Sequence, residues 1–160
     1  MTRVALFATL ILLGLAAEAC VSATPGSQLS KSDLLSQTPT IVLAQMTDAR
    51  DLGRQRSFSF RTIEVLKGQH RDRFTLVLDR APASYREIDF NSHKDRSFWD
   101  GSYDRLPWRP GMCTPTYDFV PGGQYLLFLE NLDNGASAER IKDRGDLWYK
   151  HVRERTKGKL

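Results

Sequence analysis

Two cysteines, three histidines and three methionines in 160 residues leave little material for metal, thiol or redox chemistry. There is no Cys-x-x-Cys pair, no zinc-ligand helix of the His-Glu-x-x-His type, no Gly-x-Ser-x-Gly elbow and no phosphate-cradling glycine loop. The longest apolar run, Val4 to Ala17, is shorter than the roughly 20 residues a membrane-spanning helix needs. No internal repeat or low-complexity array interrupts the chain. His93 and Asp95 lie two apart, near Asp100, Asp104 and Trp99, and a strand would put both on one face as two metal ligands. No other histidine is close in sequence. His70 follows a turn and His151 belongs to a basic tail, so all three are expected to be structural or surface residues. The expectation is a protein that is not an enzyme and holds neither cofactor nor metal.

What is present begins with an export signal. Arg3 supplies a positive start, Val4 to Ala17 carries no charge or strongly polar group, and Ala17-Glu18-Ala19 places small residues at the two positions a signal peptidase reads. Cleavage before Cys20 is one reading. Ala17-Glu18-Ala19-Cys20 also resembles a bacterial lipobox, although Ala17 and Glu18 depart from its usual pattern, and cleavage after Ala23 would discard Cys20 altogether. Residues 1–19 are therefore assigned as a signal peptide. The mature chain is expected to be exported, periplasmic or secreted, or alternatively anchored to the membrane by a lipid on Cys20.

The remaining length suits one domain with a real core. Its formal net charge of +4 is carried by the segment Glu139 to Leu160, where eight Lys/Arg stand against four Asp/Glu. Such a tail suits anionic lipid or polysaccharide, or a solvated helix face of mixed charge. Export argues against nucleic acid as a partner.

Residues 20–39 read as a tether, with one helical turn at Ser32–Leu35 capped by Ser32. Thr40 to Met46 is a β-branched apolar run that predicts a buried strand. Phe58 to Leu66 predicts a second strand whose parity changes between Phe58/Phe60 and Ile63/Val65, which a bulge at Arg61-Thr62 would reconcile. Phe74, Leu76 and Leu78 alternate as a third strand. Tyr85 to Phe90 is a weaker candidate, and Gln124 to Leu129 a strong one after the turn Pro121-Gly122-Gly123. Residues 91–112 form an aromatic, charged excursion. Ile141, Trp148 and Val152 fall on one face of a helix that Gly145 weakens. The sum is an all-β domain with a flanking helix. It is a small five-stranded OB-like barrel over 40–132, followed by a basic C-terminal helix and tail over 133–160.

The order of these parts resembles the netrin-like, or tissue-inhibitor-of-metalloproteinase-like, domain. The matching parts are Cys20 after the signal, the strand TIVLAQMTDA, the phrase IEVLKG, a third strand, and Cys113 ahead of Phe119 to Phe128 with its F-x-x-G-x-x-Y-L-L-F pattern. The resemblance covers about residues 20–132 and implies a five-stranded OB-type barrel with flanking helices. It also implies a Cys20–Cys113 disulfide, worth about 4–5 kcal/mol in the chain-entropy model. In the inhibitors, the amine and carbonyl of the N-terminal cysteine grip a protease zinc. Here Val21-Ser22 follows Cys20 where the family has a second cysteine one residue on.

Phe98, Trp99, Tyr103 and Trp108, with Arg105 and Arg109 among them, are the residue types enriched at interaction hot spots. They equally suit a small core covering one end of the barrel. The functional expectation is an exported envelope protein acting as a protein- or glycan-interaction module through these residues and the basic tail. Its partner would be an envelope protein or an anionic glycan. The alternative is a secreted metalloprotease inhibitor acting through the Cys20 amine.

Overall fold

A computed structural model describes residues 29–79, 92–94, 96–99, 117–132 and 137–157. Its frame is one antiparallel sheet of five strands, β1 (Ile41–Leu52), β2 (Gln55–Lys67), β3 (Arg73–Asp79), β4 (Gln124–Phe128) and β5 (Ala138–Arg140), in the order β3-β2-β1-β4-β5. Three helices accompany it: α1 (Lys31–Gln37), the short α2 (Arg96–Trp99) and α3 (Leu147–Thr156). The fold is thus all-β with a C-terminal helix. β3 and β5 end the sheet, and no ladder joins them among the described residues.

Ile41–Ala44 of β1 and Tyr125–Phe128 of β4 are apolar without interruption because both of their faces are covered. Ile41 and Leu43 of β1, with Leu126 and Phe128 of β4, face a cluster built from Leu34 of α1, Phe98 of α2, and Trp148, Tyr149 and Val152 of α3. Val42, Ala44 and Met46, with Tyr125 and Leu127, face a second cluster containing Phe58, Phe60, Tyr117 and Phe119. A strand covered on both sides needs no polar face. At the centre of the second cluster, Phe119 meets Phe58, Phe60 and Tyr125 edge-on, with ring centroids 5.1, 5.1 and 4.8 Å away.

β2 carries the expected bulge, displaced by one or two residues. Leu43 pairs with Glu64 and Ala44 with Thr62, so Ile63 is the extra residue. The extra residue returns Val65 to the face of Phe58 and Phe60 and leaves Ile63 on the helix-covered face. Further irregularities between Ile41/Val42 and Met46/Asp48 bend the long β1–β2 hairpin. β3 alternates as expected, with Phe74, Leu76 and Leu78 packed on the second cluster.

Two parts of the chain fold differently from the sequence expectation. The segment 133–160 contains a strand, β5, before its helix, and α3 starts only at Leu147. Ile141 reaches the core from the end of β5, while Trp148 and Val152 reach it from α3. Gly145 lies outside the helix, ahead of the cap Asp146, whose Oδ1 accepts from the amides of Trp148 (2.9 Å) and Tyr149 (3.2 Å). The N-cap of α1 is Ser30 rather than Ser32, its Oγ accepting from Asp33 N at 3.0 Å. Leu34 is fully buried, so α1 is packed into the fold. The strand candidate Tyr85–Phe90 and the cysteines Cys20 and Cys113 lie outside the described residues.

The Pro121-Gly122-Gly123 turn extends the ladder between β1 and β4. Gly122 N donates to Met46 O at 2.8 Å, and Met46 N donates to Gly123 O at 2.9 Å. Gly122 holds φ +79° there, a conformation that favours glycine.

Candidate functional site

Of the aromatic and basic residues expected to form a contact surface, Tyr103, Arg105, Trp108 and Arg109 lie outside the described residues. Phe98 and Trp99 are placed by α2. Phe98 is 3% exposed and packs edge-on against Trp148 at 5.1 Å. Trp99 is half-buried, and its Nε1 donates to His93 O at 2.7 Å. Lys31 of α1 clamps the same turn. Its ammonium donates to Phe98 O and lies 5.1 Å from the Phe98 ring centroid and 5.6 Å from that of Trp99.

His93 anchors this segment more firmly. It is buried, and its Nδ1 lies 2.7 Å from Glu139 Oε2 while its Nε2 lies 2.8 Å from Asp146 Oδ2. Both carboxylates are themselves buried or nearly so. An imidazole facing two carboxylate acceptors satisfies both only as the doubly protonated imidazolium. Burial opposes that charge, but the hydrogen bonds and negative charges of Glu139 and Asp146 outweigh it and raise the His93 pKa above its ordinary value. With both ring nitrogens committed, His93 ties the 92–99 segment to β5 and to the start of α3. Asp95, its expected companion on one strand face, lies outside the described residues, and His93 sits in a short 3-10 turn instead. Among the described residues, no group of three His, Cys, Asp or Glu side chains is arranged to hold a metal ion.

The basic tail is partly spent on the fold. Arg144 pairs with Glu64 of β2, Arg153 Nε lies 3.3 Å from Glu64 Oε1, and Tyr149 Oη donates to Glu64 Oε2 at 2.7 Å. Burial works against the Glu64 carboxylate, yet Tyr149, Arg144 and Arg153 hold its pKa below the usual carboxylate range. These contacts staple α3 to the sheet.

A different surface gathers unspent charge. An open groove of about 1030 Å³ runs along β2 and β3 and past the 3-10 turn at Leu129–Asn131. Arg61, Arg71 and Arg73 line it, with His70, the hydroxyl residues Thr47, Ser59 and Thr75, and parts of Phe60 and Phe74. Arg61 and Arg73 are direct register partners across the β2–β3 ladder. Like charges placed opposite each other in a sheet destabilise it. Among the described residues, Arg61 Nη2 donates to the neutral Gln45 Oε1, at 2.8 Å. Among the described residues the one acid lining the groove is Glu130, whose Oε2 accepts from Thr40 N at 3.0 Å. His70 packs edge-on against Phe74 at 4.5 Å, and its Nε2 is buried without a hydrogen-bond partner among the described residues. Burial and the neighbouring Arg71 lower the His70 pKa, so the ring is neutral at pH 7.

Comparison of the chain with protein-family models, with curated proteins and with solved structures returns no match. Among the described residues, no helix is long and apolar enough to cross a membrane.

Sequence reasoning located the surplus positive charge in the tail and passed over the groove. In a linear count the arginines at 61, 71 and 73 are balanced by neighbouring acids such as Glu64, which is spent on Arg144 and Arg153. The signal was nevertheless there: Gln69-His70-Arg71-Asp72-Arg73 opens the third strand, opposite an arginine in the second.

Proposed function

We propose that the chain is an exported, non-enzymatic binding module of the cell envelope, built on a netrin-like OB barrel. The long bent β1–β2 hairpin and a β1 paired on both edges supply the rigid wall of such a barrel. The observation that carries the reading is the β2–β3 groove, lined by three arginines, two of them register partners, against a single carboxylate among the described residues. Charge that weakens the fold at a register pair is accounted for by a partner that complements it. His93 supports the non-enzymatic part, because both of its ring nitrogens are held by structural carboxylates. The partner is an envelope protein or an anionic glycan.

The reading is tested by expressing the chain with its own N-terminus and fractionating the cells. Photo-crosslinking of the envelope fraction then follows. The mature chain is expected in the envelope, joined to a discrete protein or glycan product that heat-unfolded protein does not form. Recovery in the cytoplasm with residues 1–19 attached, or crosslinks no different from those of unfolded protein, overturns it.

A further inference from the structure

We propose that the β2–β3 groove is a binding site for a phosphate ester, with the phosphate seated among Arg61, Arg71 and Arg73 and its organic body lying along Ser59 and Thr75. The proposal rests on the binding-module reading and names the chemistry of its ligand.

Three features of the groove lead there. Arg61 and Arg73 face each other in register, and Arg71 lines the same groove two residues before Arg73, so three planar forks of donors border it. A carboxylate is satisfied by one such fork, whereas a phosphate dianion offers three free oxygens and two charges. Among the described residues the surplus over Glu130, the only acid in the lining, is two positive charges. The second feature is size. About 1030 Å³ lies at the upper end of the range for small-molecule sites and far exceeds a free phosphate. The third is the rest of the lining. The hydroxyl residues Thr47, Ser59 and Thr75 suit a polar body, and Ser59 and Thr75 are the register pair beside Arg61 and Arg73 on the same face of the sheet.

The phosphate could arrive on a soluble ester or on a lipid headgroup, and titration of the mature chain separates the two. Calorimetry is run with inorganic phosphate, glucose 6-phosphate, glucose and glucuronate. Co-sedimentation is run with phosphatidylcholine vesicles with and without phosphatidic acid. The variants are Arg61→Gln/Arg73→Gln and, as a control on the tail, Lys150→Gln. Phosphate and glucose 6-phosphate are expected to bind saturably, the ester more tightly, and glucose and glucuronate at least tenfold more weakly than the ester. The double variant should lose at least tenfold in affinity while Lys150→Gln keeps the wild-type value. Its thermal midpoint should hold or rise, since the two charges no longer oppose each other. Binding to phosphatidic-acid vesicles alone, lost in the double variant, assigns the phosphate to lipid. Failure of every phosphate probe, equal binding of glucuronate, or binding that the double variant retains overturns the proposal. A protein that crosslinks to an envelope partner yet ignores phosphate refutes this inference and leaves the binding-module reading standing.

Discussion

Replacing His93 with alanine is expected to be among the most damaging single changes in the molecule. The substitution leaves Glu139 and Asp146 buried without the imidazolium that bridges them at 2.7 and 2.8 Å. Removing one member of a buried ionic cluster costs about 3–5 kcal/mol, a large share of the 5–15 kcal/mol typical of a whole domain. His93→Gln restores one neutral donor and should recover roughly 1 kcal/mol of that loss. The pH dependence gives the sharper test. The folded-state pKa of His93 is raised, so its contribution is complete below the unfolded value of about 6.5 and is lost as pH rises through the folded value. Urea denaturation of wild type and His93→Gln at pH 6 and at pH 9 reads this directly. The stability gap between the two proteins should be largest at pH 6 and shrink towards pH 9. A gap that is constant or grows with pH, or an alanine variant within 1 kcal/mol of wild type at pH 6, would refute the imidazolium bridge.

Three further outcomes follow from the packing. Gly68→Ala should cost about 1–3 kcal/mol by thermal denaturation, because Gly68 holds φ +73° and an added Cβ would lie 2.5 Å from Pro39 O; an unchanged midpoint would contradict that approach. Leu34→Ala should cost about 2–5 kcal/mol, since Leu34 is fully buried between α1 and the sheet, and a neutral result would detach α1 from the core. Glu64→Gln should flatten the acid limb of the stability curve. The lowered Glu64 pKa means its contribution is present above the ordinary carboxylate value and lost as pH falls through the folded one, so an acid-denaturation profile identical to wild type would count against the Glu64–Arg144–Arg153 staple.

The strands that were legible in the sequence are those whose residues alternate or run apolar for a visible physical reason. β3 shows period two through Phe74, Leu76 and Leu78, and Ile41–Ala44 of β1 and Tyr125–Phe128 of β4 run apolar because clusters lie on both faces. β5 was illegible because its burial is polar. Ser137 and Glu139 are buried, but one is matched by Tyr117 Oη at 2.8 Å and the other by His93. Neither partner is near in sequence, so the stretch reads as a polar turn. The same non-locality hid the role of His93, whose two carboxylates come from β5 and from the cap of α3. The groove escaped notice for another reason: strand pairing, not composition, places Arg61 opposite Arg73.

The β2–β3 groove is the contact surface proposed for this protein as a binding module. The most direct measurement is an amide chemical-shift titration of the isotope-labelled mature chain with envelope extract. The account predicts saturable shifts concentrated at Arg61, His70, Arg71, Arg73 and Thr75, with α3 unmoved. Shifts confined to α3 and the tail, or no saturable shift anywhere, would contradict it.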